Sequence, residues 1–252
     1  MFLKSLASVA DSLILDLEDA VTPQKKGDAR QVIRDWLKSA DFGGKEKTVR
    51  INPVDSPWGL EDIEVVMQGQ PDSLVIPKVS TFQELLKLDE EITKWETQLE
   101  LPKKSVNLIL IATETPRSIL NLPSFTDCER VAALSWGAED LAASLGSTKN
   151  RGPDGSYLDI YKHCRNMTLI CAAAGEVQPI DTVFVDFKDS KGLQKDCEEA
   201  SWMGYTGKMT IHPDQLEVVN AAFSPDKTEV NTAKRLIEAF AEAEKQGLMA
   251  IA

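Results

Sequence analysis

The sequence predicts an α/β fold, a TIM-type (β/α)8 barrel formed as a single domain by residues 1–252. Three observations predict it. Short β-rich runs alternate with longer amphipathic stretches, the rhythm of a parallel sheet. No internal repeat, low-complexity tract or Gly/Ser linker divides the chain. Several of the β-rich runs are apolar on one face only, with polar residues gathered at their C-terminal ends. A doubly wound sheet is covered by helices on both faces and reads apolar on both, whereas the inner face of a barrel opens into a site at the strand C-termini.

The elements follow in order. Met1–Ala10 holds one lysine in a broken apolar stretch and reads as the tail of a helix; it lacks the ~7–15-residue apolar region of a signal peptide. Ser12–Leu17 is the first strand, with Leu13, Leu15 and Leu17 on one face and Ile14, Asp16 and Glu18 on the other. In Thr48–Asn52, Val49 and Ile51 oppose Thr48, Arg50 and Asn52. Ser73–Pro77, Leu108–Thr113, Val131–Ser135 and Asp181–Val185 continue the series. Lys208–Ile211 ends it, Met209 and Ile211 opposing Lys208, Thr210 and His212. Amphipathic helices are expected at Asp28–Leu37, Phe82–Leu99, Leu158–Ala174, Gly192–Met203 and Lys227–Gln246. That makes seven strands.

Bulk properties remove several classes of function. The net charge of −12 argues against a nucleic-acid partner, which needs clustered Lys and Arg to neutralise phosphates. No apolar run approaches the ~20 residues of a membrane span. Cys128, Cys164, Cys171 and Cys197 are widely spaced without a C-x-x-C pair, so neither a disulfide framework nor a thiolate zinc site is indicated, and a reducing cytoplasm is expected.

Polar groups fall repeatedly at the strand ends: Asp16, Glu18 and Asp19 after the first, Arg50 and Asn52 on the second, Lys78 after the third. Glu114 lies in Thr113-Glu114-Thr115-Pro116, Asp140 in Trp136-Gly137-Ala138-Glu139-Asp140, and Lys208 and His212 flank the last strand. Each has an ordinary use: helix caps or first-turn charges for Asp19 and Asp140, an ion pair for Arg50, a hydrogen-bonded turn for His212, a solvated Glu139. Together they converge on one barrel mouth, where unneutralised carboxylates repel one another and raise their own pKa values. A hard divalent cation resolves this, and carboxylates without a His or Cys cluster suit magnesium rather than zinc. The same ion, with Arg50 and the lysines, lets an acidic protein accept an anionic substrate. Pro23-Gln24-Lys25-Lys26-Gly27-Asp28-Ala29-Arg30 is either the basic face of a solvated helix or a phosphate contact, through Lys26 and Arg30, for a CoA-type cofactor. No Walker loop or G-x-G-x-x-G occurs.

At these residues the chain resembles the citrate lyase β-subunit family, within the HpcH/HpaI aldolase superfamily, which includes malyl-CoA, β-methylmalyl-CoA and citramalyl-CoA lyases. Leu15-Asp16-Leu17-Glu18-Asp19-Ala20-Val21, Val49-Arg50-Ile51-Asn52, Ile76-Pro77-Lys78-Val79, Glu114-Thr115-Pro116, Trp136 to Leu141 and Gly207 to Pro213 carry the resemblance, in order, over nearly the whole chain. It implies a Mg²⁺-dependent lyase with Glu114 and Asp140 as metal ligands. It implies also Arg50 on the substrate and developing enolate, and Glu18 and Asp19 organising metal-bound water. The substrate implied is a CoA thioester, held with the help of Lys26, Arg30 and Lys78 and yielding an α-keto acid, in a trimer or a multiple of trimers. The family's usual first strand, R-S-x-L-F-V-P-G, and its G-x-M-x-D lid beyond the last helix have no counterpart here. A pyruvate-type class II aldolase and a non-catalytic homologue with a regulatory or binding role are the alternatives.

Overall fold

A computed structural model describes residues 2–245. Seven parallel strands pair in sequence order: β1 (Ser12–Asp16), β2 (Glu46–Arg50), β3 (Ser73–Ile76), β4 (Asn107–Ile111), β5 (Val131–Ser135), β6 (Gln178–Asp181) and β7 (Gly207–Lys208). A doubly wound sheet reverses its strand order at a switch point; this one never does. Every crossover therefore winds the same way, the helices collect on one side, and the sheet curls into a half-barrel of TIM type.

The helices are α1 (Phe2–Leu6), α2 (Lys26–Ser39), α3 (Gly59–Met67), α4 (Phe82–Gln98), α5 (Pro116–Asn121), α6 (Ala138–Leu145), α7 (Asp159–Ala174), α8 (Ser190–Met203), α9 (Leu216–Phe223) and α10 (Lys227–Lys245). Their starts are written locally. Thr81 caps α4 by accepting the Glu84 N–H, while the Glu84 carboxylate accepts from Ser80 N–H. Thr115 and Ser118 form a capping box on α5, with Pro116 at its first turn. The core lies between sheet and helices: Leu13, Leu15, Val49, Leu74, Leu108 and Leu110 from the strands meet Ile33 and Leu37 of α2 and Leu85, Leu88 and Ile92 of α4. On the opposite face of the edge strand β1, Ile14 is 39% exposed, because the half-barrel's interior is open there. At that side Asn220 of α9 donates to the Val9 carbonyl (3.0 Å), tying the α1–β1 connection to α9.

Two strands differ from expectation by more than two residues at an end, while β2 lies two residues earlier than Thr48–Asn52 and β4 stops at Ile111, short of Thr113. β6 ends at Asp181 rather than starting there, and Thr182 to Val185, for all their β-propensity, form a loop in which Val185 is exposed. Its position is set by pairing, not composition: Leu134 and Ser135 of β5 register against Pro179 and Ile180. β7 keeps only the two residues that β6 can pair, so Ile211 lies outside the sheet and exposed. α3, α5, α6 and α9 lie where no helix was expected; all are under ten residues, too short for a clear 3.6-residue period. Gln246, the expected end of the last helix, lies outside the described residues, as do Gly247–Ala252. No helix among the described residues is long and apolar enough to cross a membrane. All four cysteines are buried and free.

Candidate active site

The site is assembled from the turns that leave β1 to β5. Asp16, the last residue of β1, accepts the N–H groups of Glu18 (2.8 Å) and Ala20 (3.1 Å), which folds the chain back over the sheet end. Arg50 is its partner in register on β2. Arg50 Nε and Nη2 grip the two Asp16 oxygens at 2.8 and 2.7 Å, a bidentate fork that fixes the guanidinium plane. Nη1 is left facing Glu18 Oε2 at 3.1 Å, and Asp19, on the exposed rim, is 3.6 Å from Nη2.

After β3, Lys78 adopts φ 56°, a left-handed conformation uncommon outside glycine. Its backbone N–H donates to Glu114 Oε2 (2.7 Å), while its Nζ reaches Glu18 Oε1 (2.5 Å) and Asp140 Oδ1 (3.2 Å). Glu114, after β4, is buried. It lies over Gly137: a Cβ there would come 2.8 Å from Glu114 Cγ, so that glycine leaves room for the carboxylate. Gly137 N–H donates to Thr113 Oγ1 (3.2 Å), aligning the start of α6, whose first turn carries Asp140. Asp140 is thus a first-turn charge, as its ordinary use expects, whereas Asp19 neither caps nor begins a helix, since the next helical turn begins at Pro23.

These surroundings set the charges. Burial pushes Asp16 upward, but hydrogen bonds and charge from Arg50 outweigh it and hold its carboxyl below the usual range. Glu18 is raised, since burial outweighs the help of Lys78 and Arg50. Glu114 is raised to about 8, by burial first and by the neighbouring Asp140 charge second, despite the Lys78 N–H. Lys78 is raised because Glu18, Glu114 and Asp140 together overcome its burial.

Beside this cluster runs an open cleft of about 460 Å³, lined among others by Glu18, Asp19, Pro23, Asn52, Trp58 and Lys78. Lys26 borders it but does not offer its charge there. Its ammonium donates to the carbonyls of Leu17 (2.9 Å) and Glu18 (3.0 Å) and to Asn52 Oδ1 (2.6 Å), filling all three donors. Arg30 is likewise turned inward, paired with Asp62 (2.8 Å) and Glu61 (2.7 Å). The solvated-face expectation needs correcting for these two: Lys26 is a buried brace on the turn bearing Glu18, and Arg30 a buried brace between α2 and α3.

Residues 1–213 match the family described as HpcH/HpaI aldolase/citrate lyase. The chain belongs to it. A (3S)-malyl-CoA thioesterase of Cereibacter sphaeroides is 35% identical over 97% of this chain and 80% of its own length. The mitochondrial citramalyl-CoA lyase of Homo sapiens is 35% identical over 94% of this chain and 71% of that protein. Among solved structures, the protein CitE of Mycobacterium tuberculosis in complex with magnesium and acetoacetate superposes with a TM-score of 0.77, at 29% identity over 94% of this chain and 91% of that one. The same protein with magnesium, acetoacetate and coenzyme A gives 0.75, at 29% identity over 97% and 82%.

For an enzyme of the aldolase/citrate lyase family, the donor set fits a hard ion. Glu18 Oε2 is buried without a hydrogen-bond partner, and the Asp140 charge is close enough to disfavour ionisation of Glu114. No three His, Cys, Asp or Glu side chains enclose a metal position among the described residues. Magnesium needs no such enclosure, since it keeps several waters and takes one or two carboxylates.

Sequence reasoning missed a second cluster at the ends of β6 and β7. Lys208 Nζ donates to Asp181 (2.6 Å) and Asp196 (2.7 Å), Arg165 pairs with Asp181 (3.0 Å), and the Trp136 indole donates to Asp181 (2.7 Å). Trp136 directly precedes Gly137, so this cluster anchors the turn that presents Asp140. Lys208 was visible at a strand end; Arg165 and Asp196 lie within helices, with nothing in their spacing to mark them.

Proposed function

We propose that this chain is a Mg²⁺-dependent carbon–carbon lyase that cleaves, or in reverse forms, a 3-hydroxyacyl-CoA of the malyl-CoA or citramalyl-CoA type. The products are an acyl-CoA and an α-keto acid. One observation carries the reading: Glu114, Asp140 and Glu18 are gathered round a single residue, Lys78, with the Arg50 guanidinium facing the same mouth. Glu114 and Asp140 would hold the ion, which supplies Lewis acidity towards the hydroxyl and carboxylate oxygens of the acid end.

The remaining work falls to the chain. Arg50, its plane fixed by Asp16, presents Nη1 where negative charge grows on the thioester oxygen as the C2–C3 bond breaks. Glu18 Oε2, buried beside Arg50 Nη1 without a hydrogen bond, is the acceptor for the hydroxyl proton, directly or through a water that Asp19 helps to order. Proton return to the enolate carbon is not assigned to a residue. The cleft at Trp58 and Pro23 takes the thioester arm, with Lys78 at its inner end. Assembly as a trimer and a cytoplasmic location accompany this reading, the first checked by light scattering on the purified protein.

The test is keto-acid release from malyl-, β-methylmalyl- and citramalyl-CoA with and without Mg²⁺. Keto acid that appears only with Mg²⁺ supports the reading. The thioesterase relative favours a second reading, hydrolysis of the C–S bond, which would liberate free CoA thiol and hydroxy acid and no keto acid. Mg²⁺ binding without turnover of any thioester would leave a non-catalytic homologue.

A further inference from the structure

Lys78 does three things at once. Its left-handed backbone turns the N–H onto Glu114 Oε2 while the side chain reaches back to Asp140 Oδ1 and Glu18 Oε1. No extended residue at this point would present both its N–H and its side chain to the same group of acids. The backbone strain is retained in a place where it serves the site. Both proposed ion ligands are therefore in contact with one residue, and one of them, Asp140, already has a cation on it.

We propose that Lys78 is a tethered competitor of the divalent ion. Its ammonium occupies Asp140 whenever the ion does not, weakens the ion's binding, and on exchange swings towards Glu18 and the cleft, where it meets the anionic substrate. Lys78 is thus a positioning residue that sets how much Mg²⁺ the site requires. This rests on the metal-site reading above. The physical basis is twofold. A doubly charged ion and an ammonium sharing one carboxylate repel strongly in a partly buried setting, and a ligand that must displace an internal occupant binds with its affinity reduced by the fraction of time the site is free. A lysine that only braced the carboxylates would have the opposite effect, since its removal would disorder them.

The test is calorimetric titration of the full chain with Mg²⁺ alone, without substrate. Two neutral variants are used, Lys78→Asn and Lys78→Gly, because both residue types accept the left-handed backbone. Each is expected to bind Mg²⁺ about tenfold more tightly, or better, than the wild type, while Lys78→Arg stays near it. Equal or weaker binding by both neutral variants, with melting curves in EDTA showing them folded, overturns the proposal. Glu114→Gln with Asp140→Asn separates the two claims. If this double variant binds Mg²⁺ as the wild type does, the metal site itself is misplaced, whatever Lys78 does.

Discussion

Two lysine–carboxylate clusters lie at the C-terminal ends of this sheet, and they are built on different terms. Around Lys208, Asp181 and Asp196 are met by two cations, Lys208 and Arg165, with Glu199 on the exposed rim 3.6 Å from Arg165, and the side chains of Lys208 and Asp181 have no exposed surface. Burial there is offset by full pairing, and Asp181 is held below the ordinary carboxylate range by Lys208 and Arg165 against the pull of desolvation. Around Lys78, Asp16, Glu18, Asp19, Glu114 and Asp140 face only Arg50 and Lys78, in a mouth open to solvent. There one acid is bound in full by Arg50, while Glu18 keeps an oxygen that meets Arg50 Nη1 at 3.1 Å without a hydrogen bond and Glu114 rises to about 8. A closed cluster whose buried charges are matched is permanent architecture. An open cluster short of positive charge has capacity for something more.

The comparison breaks first at Asp181. Replacing it with alanine leaves Lys208 and Arg165 buried without their shared partner, and loss of one member of such a group costs about 3–5 kcal/mol. Denaturant unfolding of Asp181→Ala should show that loss, whereas Asp140→Asn should unfold much like the wild type; equal destabilisation of the two would erase the distinction. Arg50→Lys keeps the charge but loses the fork on Asp16, and kcat/KM should fall by about 10²–10³ with little change in melting temperature. Near-normal turnover in that variant would remove Arg50 from the chemistry.

Gly137→Ala sharpens the contrast more gently. A methyl 2.8 Å from Glu114 Cγ forces that side chain aside, and overpacking of this size should weaken Mg²⁺ about tenfold by titration. An unchanged affinity would show that Glu114 need not lie there. The last effect is one of pH. With divalent ions removed, Glu114 binds a proton in the fold between its ordinary 4.5 and about 8 that the unfolded chain releases. Its contribution to stability is complete below 4.5 and is lost as pH rises through about 8. Unfolding free energies across that window should decline more steeply for the wild type than for Glu114→Gln; parallel slopes would contradict the raised value.

The strand order and the residues of the mouth were legible because a polar residue that ends an apolar run has few places to go. Glu18, Arg50, Lys78, Glu114 and Asp140 all follow or end strands of one parallel series, and such a series brings strand ends together whatever the loops do. Lys26 and Arg30 were not legible in the same way. A basic segment reads alike whether it faces water or a set of waiting acceptors, and only the Leu17 and Glu18 carbonyls with Asn52, for Lys26, and Asp62 with Glu61, for Arg30, decide that these two face inward. The limits of β6 were hidden for a related reason: Val183 to Val185 carry the stronger local preference, but the neighbouring strand offers partners only to Gln178–Ile180.

Lys25 and Lys26 stand side by side, and the fold makes opposite reagents of them. The first holds its amine out from the surface, 72% exposed and touching only Asp28. The second has every N–H committed and almost no surface. An acylating label applied to the native protein should mark Lys25 within minutes and spare Lys26 until the chain unfolds. The appearance of the second mark would then time the loosening of the very turn that carries Glu18.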